Sequence, residues 1–190
     1  VVGLQHSVAG FAMLEIVRRA GARVEIQIDN EDAGEPVGRI RVMYDSPASF
    51  VIEPDEVPGV IDEIPALAAL GVLLPGGAEM RVHGAGELRV KESDRIATMS
   101  AELRDMGAQI TEKPDGMVIR GLGRAGENGR LSAAGKAKSH GDHRVAMSLA
   151  IGGLTAATSM TIADCGCVET SFPTFEAALS ELLTHEAGGR

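Results

Sequence analysis

One stretch of the sequence decides the predicted fold: residues 93–120, which read SDRIATMSAELRDMGAQITEKPDGMVIR. Apolar side chains recur at helical spacing from Ile96 to Met106, and Gly107 is a typical residue at which a helix ends. Two short runs then surround Pro114-Asp115, a pair typical of turns. The stretch therefore predicts one helix followed by a hairpin, with strands Gln109–Lys113 and Gly116–Arg120.

The same pattern occurs earlier in the chain. A helix over Gly10–Ala20 is followed by Gly21-Ala22 and then by a hairpin. In the same way, the helix that ends at Met106 is followed by Gly107-Ala108 and a hairpin. The strands of the earlier hairpin are predicted at Arg23–Ile28 and Gly38–Tyr44. Two copies indicate a domain assembled from repeated helix–hairpin units.

The remaining segments continue the alternation of helices and strands. Further strands are predicted at Phe50–Ile52, Glu79–Val82 and Met160–Ala163, and further helices at about Glu63–Leu74, at Ala146–Leu154 (buried on nearly all sides) and along the stripe Phe172, Phe175, Leu179, Leu182. Because no linker or low-complexity stretch divides the chain, residues 1–190 are predicted to form a single domain.

Composition and charge exclude several classes of protein. The 190 residues are 44% hydrophobic and 24% charged, which is the balance of a globular protein with a real core. Pro, Gly or Thr interrupts each long apolar stretch, so no membrane span is predicted. A net charge of −9 and the absence of Trp argue against binding to nucleic acid or to an anionic membrane. The first residue is Val1 rather than Met, which predicts a fragment, a processed chain or a renumbered one.

The cysteines and histidines give weak signals for a metal site. Cys165 and Cys167 form a C-x-C that has no second Cys/His pair nearby, and a mutual disulfide at strand spacing would be strained. Two reduced core residues of a cytosolic protein are the favoured interpretation. His140 and His143 lack a third ligand at an obvious spacing, so no metal site is predicted there either.

Ionisable residues cluster where predicted strands meet helices. Asp62, Asp142 and Ser171 are expected to cap helices, with Pro65 and Pro173 in first helical turns. Residues 89–95 lie across another such junction, with Arg89 and Lys91 on one face of a strand. Helix N-termini beside Arg and Lys favour a phosphate or carboxylate ligand, although capping alone would explain each junction taken singly.

The motif LRVKESDRI at residues 88–96 closely resembles the central signature of the 5-enolpyruvylshikimate-3-phosphate synthase family. Three further blocks stand in the order of that family: IDEIP at 61–65, DHR at 142–144 followed by Ala146-Met147, and TSFP at 170–173 followed by Phe175. The resemblance covers nearly the whole chain, but only about the C-terminal half of the family's enzyme.

This resemblance implies a fold and a set of partners. The fold is α/β (α+β), made of repeated βαβαββ units in which buried parallel helices are surrounded by mixed four-stranded sheets, an inside-out α/β barrel. Residues 1–190 would form the domain on the phosphoenolpyruvate side, and the N-terminal half of the same enzyme would be the partner. The family works in the cytoplasm on small-molecule substrates, without a metal or an organic cofactor.

The resemblance also implies a reaction, the transfer of the enolpyruvyl group of phosphoenolpyruvate to the 5-hydroxyl of shikimate 3-phosphate. The implied catalytic residues are Asp62 and Glu92; Arg95, Arg144, His143 and Thr170 would bind phosphoenolpyruvate, and Asp62, Lys91 and Glu87 would bind shikimate 3-phosphate. Glu87 and Thr170 depart from some members of the family, which carry Asn and a phosphate-binding Lys at these positions.

Two alternatives stay open from the sequence. One is an enolpyruvyl transferase that acts on a UDP-sugar, although residues 89–95 match the shikimate branch better. The other is a non-catalytic binding or complementation domain that docks onto a partner half.

Overall fold

A computed structural model gives the fold and describes residues 8–32, 35–123, 131 and 136–186. The helices are α1 (Val8–Arg19), α2 (Val57–Val60), α3 (Ile64–Val72), α4 (Arg95–Asp105), α5 (His143–Gly153) and α6 (Phe175–Glu186). The strands are β1 (Ala22–Asp32), β2 (Glu35–Tyr44), β3 (Phe50–Ile52), β4 (Glu79–Val82), β5 (Gln109–Lys113), β6 (Gly116–Arg120), β7 (Lys136–Lys138) and β8 (Thr161–Ala163). Two 3₁₀ helices lie at Gly86–Val90 and Cys165–Thr170.

A mixed sheet of four strands, in the order β3-β4-β6-β5, supports the site. β3 and β4 are parallel, and β6 runs antiparallel to both β4 and β5. Met80 and Val82 point into the core while Arg81, between them, is exposed, because successive residues of a strand face opposite sides of a sheet. The segment from β3 to β6 is thus one βαβαββ unit, with α3 and α4 as its main helices.

Helices α3 and α5 form the centre of the core. Nearly every residue of α3 is buried, which a helix apolar on all sides requires. A Cβ added at Gly152 of α5 would lie 3.7 Å from the Cβ of Ala69 in α3, so the two helices face each other directly at this position. The N-terminus of α5 is capped by Asp142, a charged residue that is buried at the edge of this core.

The predicted helix–hairpin repeat is confirmed. α1 is followed by Gly21 and the antiparallel pair β1–β2, and α4 is followed by Gly107 and the antiparallel pair β5–β6. Both glycines adopt a left-handed conformation, with φ of +96° at Gly21 and +95° at Gly107. A residue with a Cβ rarely adopts this conformation, so Gly is the natural residue at the end of each helix.

Several local predictions were wrong. Arg89 was expected at the end of a strand but lies in a 3₁₀ helix over residues 86–90, where it donates hydrogen bonds to the carbonyls of Lys113 and Pro114 at the tip of the β5–β6 hairpin. α4 begins at Arg95 and is capped by Asp94. Strand β7 and helix α2 were not predicted. Within the described ranges only one sheet has four strands; β1–β2 and β7–β8 have two each.

Three further predictions at the C-terminal end fail. α6 begins at Phe175, after Pro173, so Ser171 does not cap it. The prediction that the helix at Ala146–Leu154 is buried on nearly all sides is wrong, because Ile151 within α5 is exposed and so is Leu154, the residue after its end. Cys165 and Cys167 lie in a 3₁₀ helix at the surface rather than in a core strand, and both thiols are free. Burial, and then the neighbouring Cys167 and Asp164, raise the pKa of the Cys165 thiol.

Candidate functional site

One buried guanidinium gathers residues from three distant parts of the chain. Arg95 is only 1% exposed. Its Nε donates to Asp142 Oδ2 at 2.8 Å, its Nη1 to Asp62 Oδ1 at 3.0 Å, and its Nη2 to Glu92 Oε2 at 2.6 Å. We call Arg95 and these three carboxylates the Arg95 cluster.

The first turn of α4 places the guanidinium. Asp94 caps the helix by accepting from the backbone N–H of Ala97 at 2.9 Å, which fixes where α4 begins. Arg95 is therefore the first residue of the helix, and its side chain pairs with that of Glu92, three residues earlier in the chain. Asp62 reaches the same guanidinium from the loop before α3, so it does not serve as the helix cap that the sequence predicted.

Asp142 anchors the cluster from the opposite side. Its carboxylate is fully buried and caps α5, accepting from the backbone N–H of Arg144 at 2.9 Å, as predicted. It also accepts from the Ser93 hydroxyl at 3.0 Å. Burial alone would raise the pKa of Asp142, but the hydrogen bond and charge of Arg95 outweigh it and lower that pKa below its usual value.

Arg144 approaches the cluster from the first turn of α5. Its Nη1 donates to the Asp62 carbonyl oxygen at 2.9 Å, and its Nη2 lies 3.4 Å from Asp62 Oδ2. Nearby Glu63 is 3.8 Å from Arg144 Nη1, and its pKa is raised because burial outweighs the attraction of that arginine. Arg95 and Arg144 thus both contact Asp62. Arg95 binds its carboxylate, and Arg144 reaches both its carbonyl oxygen and its carboxylate.

Two of the three carboxylates in the Arg95 cluster face solvent. Asp62 binds Nη1 of Arg95 and Glu92 binds Nη2, so each terminal nitrogen has a different carboxylate. The Asp62 and Glu92 side chains are 43% and 50% exposed, whereas Asp142 is buried. Asp142 therefore fixes the guanidinium, and the exposed pair covers the side of it that faces solvent.

The other predicted substrate-binding residues lie outside the cluster. Lys91 Nζ donates to Glu87 Oε1 at 2.6 Å, which pairs two residues predicted to bind the same substrate. The Thr170 hydroxyl donates to the Cys167 carbonyl oxygen at 2.8 Å in the second 3₁₀ helix. His143 is half-buried at the start of α5. In the described parts of the chain, no hydrogen bond or ion pair joins these four side chains to the cluster.

Two contacts around the site were not predicted from the sequence. Ser93 binds Asp142, and Glu102 on α4 binds the ring of His140. Glu102 was recognisable in principle, because it interrupts the apolar stripe of α4, three residues after Met99. A charged residue on such a stripe indicates a buried polar contact.

Among the described residues, no three His, Cys, Asp or Glu side chains are placed to hold a metal ion. The described helices are also all too short or too polar to cross a membrane.

Comparisons with known proteins identify the fold and the family. Residues 2–179 match the family model described as EPSP synthase (3-phosphoshikimate 1-carboxyvinyltransferase). The 3-phosphoshikimate 1-carboxyvinyltransferase of Desulforudis audaxviator is 42% identical over 170 residues, covering 90% of this chain and 38% of that protein. The enzyme of the same name from Acidithiobacillus ferrooxidans is 43% identical over 187 residues, covering 98% of this chain and 39% of that protein.

Solved structures agree. An EPSP synthase from Acinetobacter baumannii superposes with a TM-score of 0.83 at 34% identity, covering 94% of this chain and 40% of that one. The enolpyruvyl transferase NikO from Streptomyces tendae, at 18% identity and a TM-score of 0.57, covers 90% of this chain and 35% of its own, and supports the fold alone. The predicted α/β enolpyruvyl transferase fold is thereby confirmed. The chain spans about 40% of the length of the relatives it matches, and it belongs to the EPSP synthase family.

Proposed function

We propose that this chain supplies one side of the active site of a 3-phosphoshikimate 1-carboxyvinyltransferase. The enzyme would transfer the enolpyruvyl group of phosphoenolpyruvate to the 5-hydroxyl of shikimate 3-phosphate and release phosphate. The observation that carries the proposal is the Arg95 cluster, in which both implied catalytic carboxylates, Asp62 and Glu92, bind one buried guanidinium. Spacing along the sequence could not show that these two carboxylates come together.

Each residue has a role in an addition followed by an elimination. Asp62 accepts the proton of the 5-hydroxyl as its oxygen bonds to C2 of phosphoenolpyruvate, and Glu92 gives a proton to C3. In the elimination, the C2–O bond to phosphate breaks as Glu92 takes a proton back from C3, and the departing phosphate takes the proton that Asp62 received from the 5-hydroxyl. Positioned acid and base groups of this kind contribute roughly 10²–10⁴-fold to a rate.

Arg95 and Arg144 would bind the carboxylate of phosphoenolpyruvate. In the structure, the terminal nitrogens of Arg95 are taken by Asp62 and Glu92, so a substrate carboxylate has to exchange with them. This exchange releases both catalytic carboxylates from Arg95 at the moment when substrate arrives. Because Asp142 keeps its hold on Nε, the guanidinium stays in place throughout.

The remaining implied contacts complete the proposal. His143 and Thr170 would contact phosphoenolpyruvate, and Lys91 and Glu87 would contact shikimate 3-phosphate from their ion pair. The rest of the cleft would come from the N-terminal half of the enzyme, and the reaction would take place in the cytoplasm. We expect the 190-residue chain alone to have little or no turnover.

The experiment measures phosphate release from the two substrates. The chain is assayed alone and after mixing with a polypeptide that supplies the rest of a family enzyme. We expect activity only in the mixture, and a loss of roughly 10²-fold or more for Glu92→Gln. Glu79→Gln, on the outer face of the sheet, is the matched control and should keep normal turnover. Normal turnover of Glu92→Gln would refute the assigned role.

A further inference from the structure

The turn before α5 has an unusual backbone. His140 has φ of +56° and is followed by Gly141 with φ of +74°, so two consecutive residues are left-handed. Glycine adopts this conformation freely, whereas the Cβ of any other residue makes it unfavourable. A left-handed histidine therefore needs contacts elsewhere that hold it in place.

Glu102 of α4 provides those contacts. It is 9% exposed, and its Oε1 accepts a hydrogen bond from His140 Nε2 at 2.6 Å. Its Oε2 accepts from the backbone N–H of Lys138, at the end of β7, at 2.9 Å. One buried carboxylate thus holds both the strand that enters the turn and the strained residue within it.

Ser139 closes the turn from the other side. Its hydroxyl donates to the Asp164 carbonyl oxygen at 2.7 Å and accepts from the Gly141 N–H at 3.1 Å. Its own carbonyl accepts from the Asp142 N–H at 3.0 Å. These hydrogen bonds hold both ends of the turn, and in this conformation the Asp142 carboxylate meets Arg95 Nε.

We propose that Glu102 and His140 are positioning residues, which hold the Ser139–Asp142 turn so that Asp142 fixes the Arg95 guanidinium. In the described part of the chain, no hydrogen bond or ion pair joins Glu102 or His140 to Arg95, so both would act through the turn. The consequence for substrate binding rests on the proposed function. The consequence for Arg95 itself does not, and it can be measured on the chain without substrate.

The first test follows the Nε–Hε group of Arg95 by NMR on arginine-labelled chain, with Arg95→Lys to assign the signal. In Glu102→Ala and His140→Ala we expect this signal to shift and its hydrogen exchange to speed up by about tenfold or more. Leu103→Ala is the matched control, because it destabilises the core from the next position of α4 and leaves the turn intact.

Conservative variants separate positioning from general destabilisation. Glu102→Gln keeps an oxygen that can accept from Lys138, and we expect its exchange rate to stay within about threefold of the unmodified chain. His140→Gly and His140→Asn relieve the left-handed strain, and should exchange more slowly than His140→Ala. These variants also give the answer if His140→Ala fails to fold. An Arg95 signal that responds to Glu102→Ala no more than to Leu103→Ala overturns the proposal.

The second test uses the mixed, active enzyme. For Glu102→Ala we expect the KM for phosphoenolpyruvate to rise about tenfold, while the KM for shikimate 3-phosphate changes by less than about twofold. If the unmodified mixture shows no turnover, the proposed function fails and the NMR result still decides the positioning role. A changed Arg95 signal with an unchanged KM for phosphoenolpyruvate overturns the link to substrate binding.

Discussion

Two arginine–carboxylate clusters in this molecule have similar distances and different surroundings. In the Arg95 cluster, hydrogen bonds of 2.6–3.0 Å join Arg95 to its three carboxylates around a guanidinium that is 1% exposed. On the outer face of the sheet, Glu79 accepts from Arg81 at 2.6 Å and from Arg120 at 2.9 Å. Those two arginine side chains are 54% and 64% exposed.

Short distances alone therefore do not measure how much a charge pair contributes to stability. Water and salt compete for the exposed arginines, so the sheet cluster can break at little cost. Arg95 and Asp142 are both shielded from water. Removing Arg95 would leave Asp142 charged and buried, and removing Asp142 would leave the buried Arg95 with only its two half-exposed carboxylates. The buried cluster therefore requires a fixed geometry, whereas the sheet cluster tolerates many.

We expect the greatest loss of stability when the buried Asp142 carboxylate is removed. We expect Asp142→Asn to lower the free energy of unfolding by about 3–5 kcal/mol, since the Arg95 charge loses its buried partner. Urea denaturation of both chains measures this. Glu79→Gln is the control from the sheet cluster and should shift the midpoint far less; equal shifts would remove the distinction between the two clusters.

A substitution that keeps the charge tests how strictly each cluster depends on the geometry of its arginine. Lys cannot donate to three carboxylates in the planar arrangement that Arg95 uses, so Arg95→Lys is expected to cost about 2 kcal/mol, roughly one hydrogen bond to a charged group. Arg120→Lys on the sheet should leave the urea midpoint nearly unchanged. The contrast fails if the two variants unfold at the same urea concentration.

Lowering the pH should selectively remove the contribution of Asp142 to the stability of the fold. The pKa of Asp142 is lower in the folded chain than its unfolded value of about 3.9, so its contribution to stability is complete above that value and is lost as pH falls through the folded pKa. The stability difference between the unmodified chain and Asp142→Asn should therefore shrink as pH drops below about 4. Urea denaturation across a pH series measures the difference, and a constant difference contradicts the assigned cause.

Salt should give the smallest effect. At about 0.5 M NaCl, charges at the surface are strongly screened, and buried pairs much less. We expect the small effect of Glu79→Gln on the urea midpoint to vanish, while that of Asp142→Asn persists. If both effects respond to salt alike, the Arg95 cluster is more open to solvent than its geometry indicates.

Local signals in the sequence predicted much of the fold. The repeat of α1 and α4, each ended by a left-handed glycine and followed by a hairpin, depends on neighbouring residues only. The cap at Asp142 was predicted for the same reason. The cap predicted at Asp62 failed because Arg95, 33 residues away, takes that carboxylate instead. The 3₁₀ helix at 86–90 likewise depends on the distant hairpin tip.

The candidate site divides in the same way. The resemblance to a family named Asp62, Glu92, Arg95 and Arg144, but neither motif nor spacing indicated that one guanidinium joins two of the carboxylates. The contact between Glu102 and His140 was not predicted, because the two residues are 38 residues apart in sequence and meet only after folding. Residue type and spacing thus predict which groups are present, and tertiary contacts decide which of them interact.

The distances along the chain within the Arg95 cluster bear on the order of folding. Arg95 binds partners 33 and 47 residues away, and Arg144 reaches back 82 residues to Asp62, whereas the strands of each hairpin are neighbours in sequence. Closing long loops costs entropy before any contact offsets it, so we expect hairpin amides to gain protection from hydrogen exchange before those of the cluster during refolding. A partly folded chain would then hold its hairpins and still lack the Arg95 cluster.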